Sequence, residues 1–391
     1  MRRIASIDIL RALTMVLMIF VNDLWSLKDI PAWLGHVASG VDGIGLADTV
    51  FPAFLFIVGM SIPFAFENRR KKGDADRELF SHVLTRTVAL LIMGVFLVNG
   101  EGGNINEEAT GISRLAWNVI CCTSFIVIWN IYPDRWNKTL VLTIRGVALS
   151  ILLFLAIMYR GGKEGLELFQ PRWWGILGLI GWSYLAAGVV SIYAKGSIKI
   201  TAIAWVIFVM LSMLWHAKLI PSFLHFIPSS IIGGTEAGLT MGGVLTSLIF
   251  TYYQKKNDPK RLTWVLLIAA AVLIALSVIT RPHWGLRKLG ATPAWLFLCS
   301  AFTLLAFLVI FWVADLYKKS SWFSIIRPAG TDTLLTYLIP YFSYAATRAL
   351  GIRIPEPMLY GSVGLIKSFL FALFCVGVVR LLYMAGIRLK L

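Results

Sequence analysis

Ile7-Asp8-Ile9-Leu10-Arg11-Ala12-Leu13-Thr14-Met15-Val16-Leu17-Met18-Ile19-Phe20-Val21-Asn22 is an apolar run that carries an acid, a base and an amide where its composition calls for hydrocarbon. Such groups are costly in a bilayer, so an ionisable residue within a span points to function when it faces the protein interior. Asp8, Arg11, Met15, Met18 and Asn22 recur three or four residues apart and share one helical face. At about 1.5 Å per residue, Arg11 and Asn22 stand roughly 16 Å apart, about half the hydrocarbon thickness. One helix can therefore line a path through much of the membrane. The blander alternative is an Asp8–Arg11 ion pair at the headgroup boundary with Asn22 bonded to a neighbouring helix.

Comparable apolar runs recur along the chain. Of 391 residues, 58% are hydrophobic and 14% charged, which places the protein among all-α polytopic membrane proteins, a helical bundle of about 10–12 transmembrane helices. Hydropathy puts the spans near 8–26, 46–66, 82–99, 113–131, 139–159, 173–194, 199–216, 237–254, 262–280, 293–316, 331–348 and 362–386. An even count leaves both termini on one side. Arg69-Arg70-Lys71-Lys72, Lys195 with Lys199, Lys255-Lys256 and Lys318-Lys319 then fall in loops on that same side, which the positive-inside rule makes the cytoplasm. The net charge of +16 is thus a topology signal and not a nucleic-acid footprint, with phosphate or lipid-headgroup contact as a secondary use.

Cys121, Cys122, Cys299 and Cys375 all lie in apolar runs and offer neither a disulfide framework nor a zinc site. His36, His216, His225 and His283 fall on the outer side at spacings that match no metal motif, so no metal is expected. The first helix lacks a small-residue cleavage site and is expected to be retained. The second span opens Leu46-Ala47-Asp48, where Asp48 is either a helix cap or a partner for a polar site. The glycine-rich loop that carries His36 tolerates close approach of a ligand to the backbone. The long outer loop from His216 to Ala237 is a candidate lid. Thr280–Leu289 reads as another outer loop, whose cations and indole suit either contact with an anion or sugar or simple anchoring at the interface. Spans three to seven carry few polar residues and read as scaffold.

Ile7-Asp8-Ile9-Leu10-Arg11, then Met18 to Asn22, His36, and Leu46-Ala47-Asp48-Thr49-Val50-Phe51-Pro52-Ala53-Phe54-Leu55-Phe56-Ile57-Val58-Gly59 resemble the heparan-α-glucosaminide N-acetyltransferase family, lysosomal and bacterial. The likeness is specific over about the first 65 residues and sparser beyond them, where Glu236, Lys288, Thr292, Gly330 and Thr333 fall at matching motifs. Departures exist: Ala12 stands for a glycine, Asp332 and Arg287 for asparagines, and no tryptophan follows His36. The resemblance implies one transmembrane acyltransferase domain over 1–391, with a motif-bearing hairpin at 3–66 and further helices at 236–386. It implies transfer of an acetyl group from cytoplasmic acetyl-CoA to the amine of a terminal amino sugar or glycan on the outer side. It also implies a homodimer.

Under this reading His36 is the general base, Asn22 donates to the thioester oxygen, and Asp48 orients the imidazole. An acetyl-histidine intermediate is the mechanistic alternative. Arg11 with Asp8 would serve the CoA side, while Glu236, Lys288, Thr292, Asp332 and Thr333 would serve the acceptor. A bacterial plasma (inner) membrane is the expected location. The competing readings are a transporter or flippase for an envelope glycan or lipid-linked sugar, and an inactive partner subunit of envelope assembly.

Overall fold

The computed structural model describes residues 5–391, so Arg2 and Arg3 of the basic N-terminus and the first residues of the 3–66 hairpin lie outside the described residues. Twelve long helices follow one another. They are α1 (Ala5–Asp23), α2 (Leu46–Arg70), α3 (Asp76–Asn99), α4 (Arg114–Trp129), α5 (Lys138–Met158) and α6 (Ile176–Ala194). The second half comprises α7 (Ile198–His216), α8 (Thr235–Lys255), α9 (Pro259–Trp284), α10 (Pro293–Ile310), α11 (Thr333–Ala349) and α12 (Gly361–Met384). No β-strand forms among the described residues.

Local chemistry sets several starts. Ser113 caps α4 by accepting from the Ala116 amide at 3.3 Å, and Asp258 caps α9 by accepting from Arg261 at 3.0 Å, with Pro259 in the first turn where its missing N–H costs least. Against the expected loop from Thr280, α9 continues to Trp284 and places Arg281 and His283 on its last turn. Pro282 near the helix end does not stop it.

Nine helices among the described residues are long and apolar enough by themselves to cross a membrane. Of the other three, α4 and α11 have only 16 and 17 residues, and α8 carries Gly238, Thr240, Gly242, Gly243, Thr246 and Ser247 buried in helix contacts. A Cβ on Gly59 of α2 would stand 1.8 Å from the Thr240 carbonyl oxygen, and one on Gly243 would stand 1.9 Å from that of Phe56. Glycine is what lets these two backbones touch. At the centre, α1, α2 and α10 each bury 61% of their most apolar stretch, whereas α5 buries 17% and presents Leu142, Phe154 and Ile157 outward as a lipid-facing helix does.

The loops gather at two ends. At one, Lys28 donates its amide to Leu359 at 2.8 Å, Gly43 to Leu286 at 3.0 Å, and the His216 ring meets the Gly290 carbonyl at 2.8 Å. At the other, the Ala5 and Ser6 amides donate to the Asp315 carboxylate, and Arg70 bonds both Asp76 and the Ile192 carbonyl. The chain therefore alternates between ends, with its basic clusters at the end of Ala5 and Arg70.

Candidate active site

The site forms where the loop after α1 folds over the start of α2. Gly45 precedes the helix, and a Cβ there would stand 2.0 Å from the Gly35 carbonyl oxygen, so only glycine lets the loop close on itself. Asp48, three residues into the helix, is 2% exposed and divides its two oxygens between two tasks. Oδ2 accepts from the amides of Val37 at 3.0 Å and Gly45 at 3.1 Å, which caps the helix and pins the loop. Oδ1 lies 2.7 Å from Nδ1 of His36. A carboxylate only accepts, so Nδ1 carries the proton and the ring's lone pair is on Nε2. Asp48 thus serves as a cap through Oδ2 and as the partner of the His36 ring through Oδ1.

Lys288 enters from the loop between α9 and α10, with Nζ 3.3 Å from Nδ1 of His36 and 3.8 Å from Oδ1 of Asp48. Burial pulls its ammonium below the ordinary lysine range, against the opposing pull of Asp48. Its loop is fixed by Asp42, which accepts from the Leu286 amide at 2.7 Å and from Arg281 at 3.1 Å. Those two bonds hold the Asp42 carboxyl below the usual aspartate range. From α10, Trp295 donates its indole N–H to the Asp48 carbonyl at 3.0 Å.

His36 and Lys288 line a cavity of about 260 Å³ together with Asn22, Glu236, Glu101 and Trp174. A second cavity of about 180 Å³ shares Met18 and Asn22 with it and adds Tyr337, Tyr341 and Tyr344. A third, smaller one shares Met18 and Tyr337 and reaches Thr333 and Arg86. The Met15, Met18 and Asn22 face of α1 thus lines successive hollows through the bundle.

The structure brings His36, Asn22, Asp48, Glu236 and Lys288 to one place. Other candidates lie elsewhere. Arg11 donates to Asp8 at 3.2 Å, to the Gly330 carbonyl at 3.1 Å and to Ser61 at 2.5 Å, which ties α1 to α2 and to the short helix Arg327–Thr331. Thr292 is buried and exchanges hydrogen bonds with the backbone of Arg287 inside its own turn. Asp332 is buried at the start of α11, and Thr333 lines the third cavity. His216 bonds two carbonyls and His225 packs at a tilt against Trp215, and no group of His, Cys, Asp and Glu suited to a metal forms among the described residues. The long outer loop holds short helical turns at Ser222–Leu224 and Ser229–Ile232.

Two features escaped the sequence reading. Arg86 sits in a helix taken for scaffold, 4.7 Å over the Tyr184 ring, and lines the third cavity. Asp23, next to Asn22, is buried and accepts from Lys367 at 2.6 Å, Ser368 at 2.6 Å and Tyr344 at 2.9 Å. An acid at the end of a span and a lysine inside α12 were the available signals.

Residues 3–230 match the family model described as a domain of unknown function, DUF5009. The chain belongs to this family. It is also 33% identical over 101 residues to heparan-alpha-glucosaminide N-acetyltransferase of Mus musculus and 31% identical over 101 residues to that of Homo sapiens. Each match covers 25% of this chain and only 14% of the relative's length.

Proposed function

We propose that this DUF5009 protein is a membrane acyltransferase that moves an acetyl group from acetyl-CoA to the amine of an amino sugar at the His36 end of the bundle. The observation that carries the reading is a buried carboxylate holding an imidazole at 2.7 Å on the wall of a cavity that continues, past Met18, into the bundle. The similarity to an N-acetyltransferase over a quarter of the chain supports the same reaction class.

His36 takes the proton of the attacking amine on Nε2 as nitrogen bonds to the thioester carbonyl carbon. Asp48 stabilises the imidazolium that results. Asn22 offers an amide N–H to the carbonyl oxygen as charge develops there. When the C–S bond breaks, the imidazolium returns the proton to sulfur, so amide and free CoA leave and the dyad is restored. Lys288 offsets the negative charge of Asp48, and Glu236, which lines the same cavity, accepts from sugar hydroxyls. The narrow hollows lined by Met15, Met18, Tyr337 and Tyr341 suit an extended pantetheine arm, with Arg86 as a cation at their far end.

The test is release of free thiol from acetyl-CoA by purified protein, with and without glucosamine. Thiol release that requires the amine and is lost in His36→Ala, with the melting temperature kept within a few degrees, is the expected result. Passage of the sugar across proteoliposomes without thiol release would assign the same hollows to transport and overturn the proposal.

A further inference from the structure

At the end of the bundle opposite His36, the last turns of α2 and α8 and the turn from α6 to α7 enclose a cavity of about 560 Å³, larger than any in the passage described above. Its walls are apolar, with Phe64, Val244 and Leu248 among them. Its rim carries Arg70, Lys71, Lys195 and Lys255 against one carboxylate, Glu67. Lys71 pairs with Glu67 at 2.8 Å, Arg70 and Lys195 share Asp76 at 2.9 and 3.7 Å, and Lys255 has no ion-pair partner among the described residues. Cations outnumber carboxylates here where the spans end.

A second observation points inward. Thr201, one turn into α7, is 1% exposed and lines this cavity, yet its hydroxyl has no hydrogen-bond partner among the described residues. A buried hydroxyl without a partner costs free energy unless something else bonds it. The serine and the other threonine of the wall bond their own helices, Ser191 to Ala187 and Thr251 to Ser247. Thr201 has no such bond.

We infer that this cavity is a binding site for an anionic phospholipid, its phosphate held by the Arg70, Lys71, Lys195 and Lys255 rim, its glycerol ester taking the Thr201 hydroxyl and its chain lying on Phe64 and Leu248. A phosphate alone would leave the apolar walls wet, and a neutral lipid would leave the rim unmatched; only an amphiphile with a negative head answers both. The site shares no lining residue with the His36 passage and stands whether or not acyl transfer is the activity.

Delipidated full-length protein in detergent, titrated with phosphatidylglycerol or phosphatidylcholine of identical chains and read by native mass spectrometry, tests this. Phosphatidylglycerol should bind the more tightly, and Lys195→Gln with Lys255→Gln should weaken it about thirtyfold, the effect of two interfacial cations, with little change for phosphatidylcholine. Thr201→Val should weaken it severalfold while the lipid-free protein melts no lower, a pattern that a merely structural hydroxyl would not give. Equal retention of the two lipids, or no effect of the double variant, overturns the proposal. Displacement of phosphatidylglycerol by millimolar inorganic phosphate or by CoA, with protection of Lys255 from amine labelling by those anions alone, would assign the rim to a soluble phosphate and overturn it equally.

Discussion

At the scale of single residues, the dyad depends on charges held in place by their neighbours. Asn22→Ala should slow acyl transfer about 10²-fold with acceptor KM little changed, the order expected for one oxyanion donor, and unchanged single-turnover kinetics would remove Asn22 from the reaction. Lys288 gives a pH signature. Its folded pKa is lowered, so the unfolded chain binds that proton more tightly, and the folded state is disfavoured below the folded value. Stability should therefore rise as pH climbs from the lowered value toward the ordinary 10.5. Melting curves across the alkaline range should show that rise in the native protein and a flatter line in Lys288→Gln. His36, Asn22 and Asp48 were legible because an amide, an imidazole and an acid flank one short loop. Thr292 was legible as a polar residue near the site, but only coordinates reveal that its hydroxyl closes its own turn.

At the scale of elements, the two outer loops act as one part because Asp42 joins them. Its carboxyl pKa is lowered by the Leu286 amide and Arg281, so the joint contributes above the ordinary value of 3.8 and is lost as pH falls through the folded one. Asp42→Asn should release it at neutral pH, seen as faster hydrogen exchange at Gly43 and Leu286 and as a higher acceptor KM, with α2 unaffected. Protection equal to the native protein would mean the loops are held by other contacts. Helix positions were readable from hydropathy because lipid selects for apolar surface all round. That signal is diluted in α8, whose glycines and threonines are buried against other helices, yet it still marks the span at 237–254. It misses Arg86, whose cation rests on an aromatic face and leaves the average hydropathy of its span high.

At the scale of the whole molecule, a buried polar joint ties the first helix to the last two. Asp23 takes Lys367, Ser368 and Tyr344, so α1, α11 and α12 close on one carboxylate. Removing one partner leaves a buried charge uncompensated, and Lys367→Met should cost about 3 kcal/mol. Adding Asp23→Asn should recover much of that loss, and additivity of the two changes would deny the coupling. The sequence conveyed the bundle and its alternation, since charge and hydropathy are recorded locally. It conveyed nothing of this joint, whose members lie over 320 residues apart. Nor did it convey the arrangement of hollows, which depends on how faces meet. Among them Met18 alone borders all three. Its unbranched thioether turns about three bonds at little cost, so its rotamer bears on how freely the three hollows join. Under the proposed acyl transfer, this side chain would take part in no bond-making and act as a valve whose setting adjusts throughput and leaves the chemistry alone.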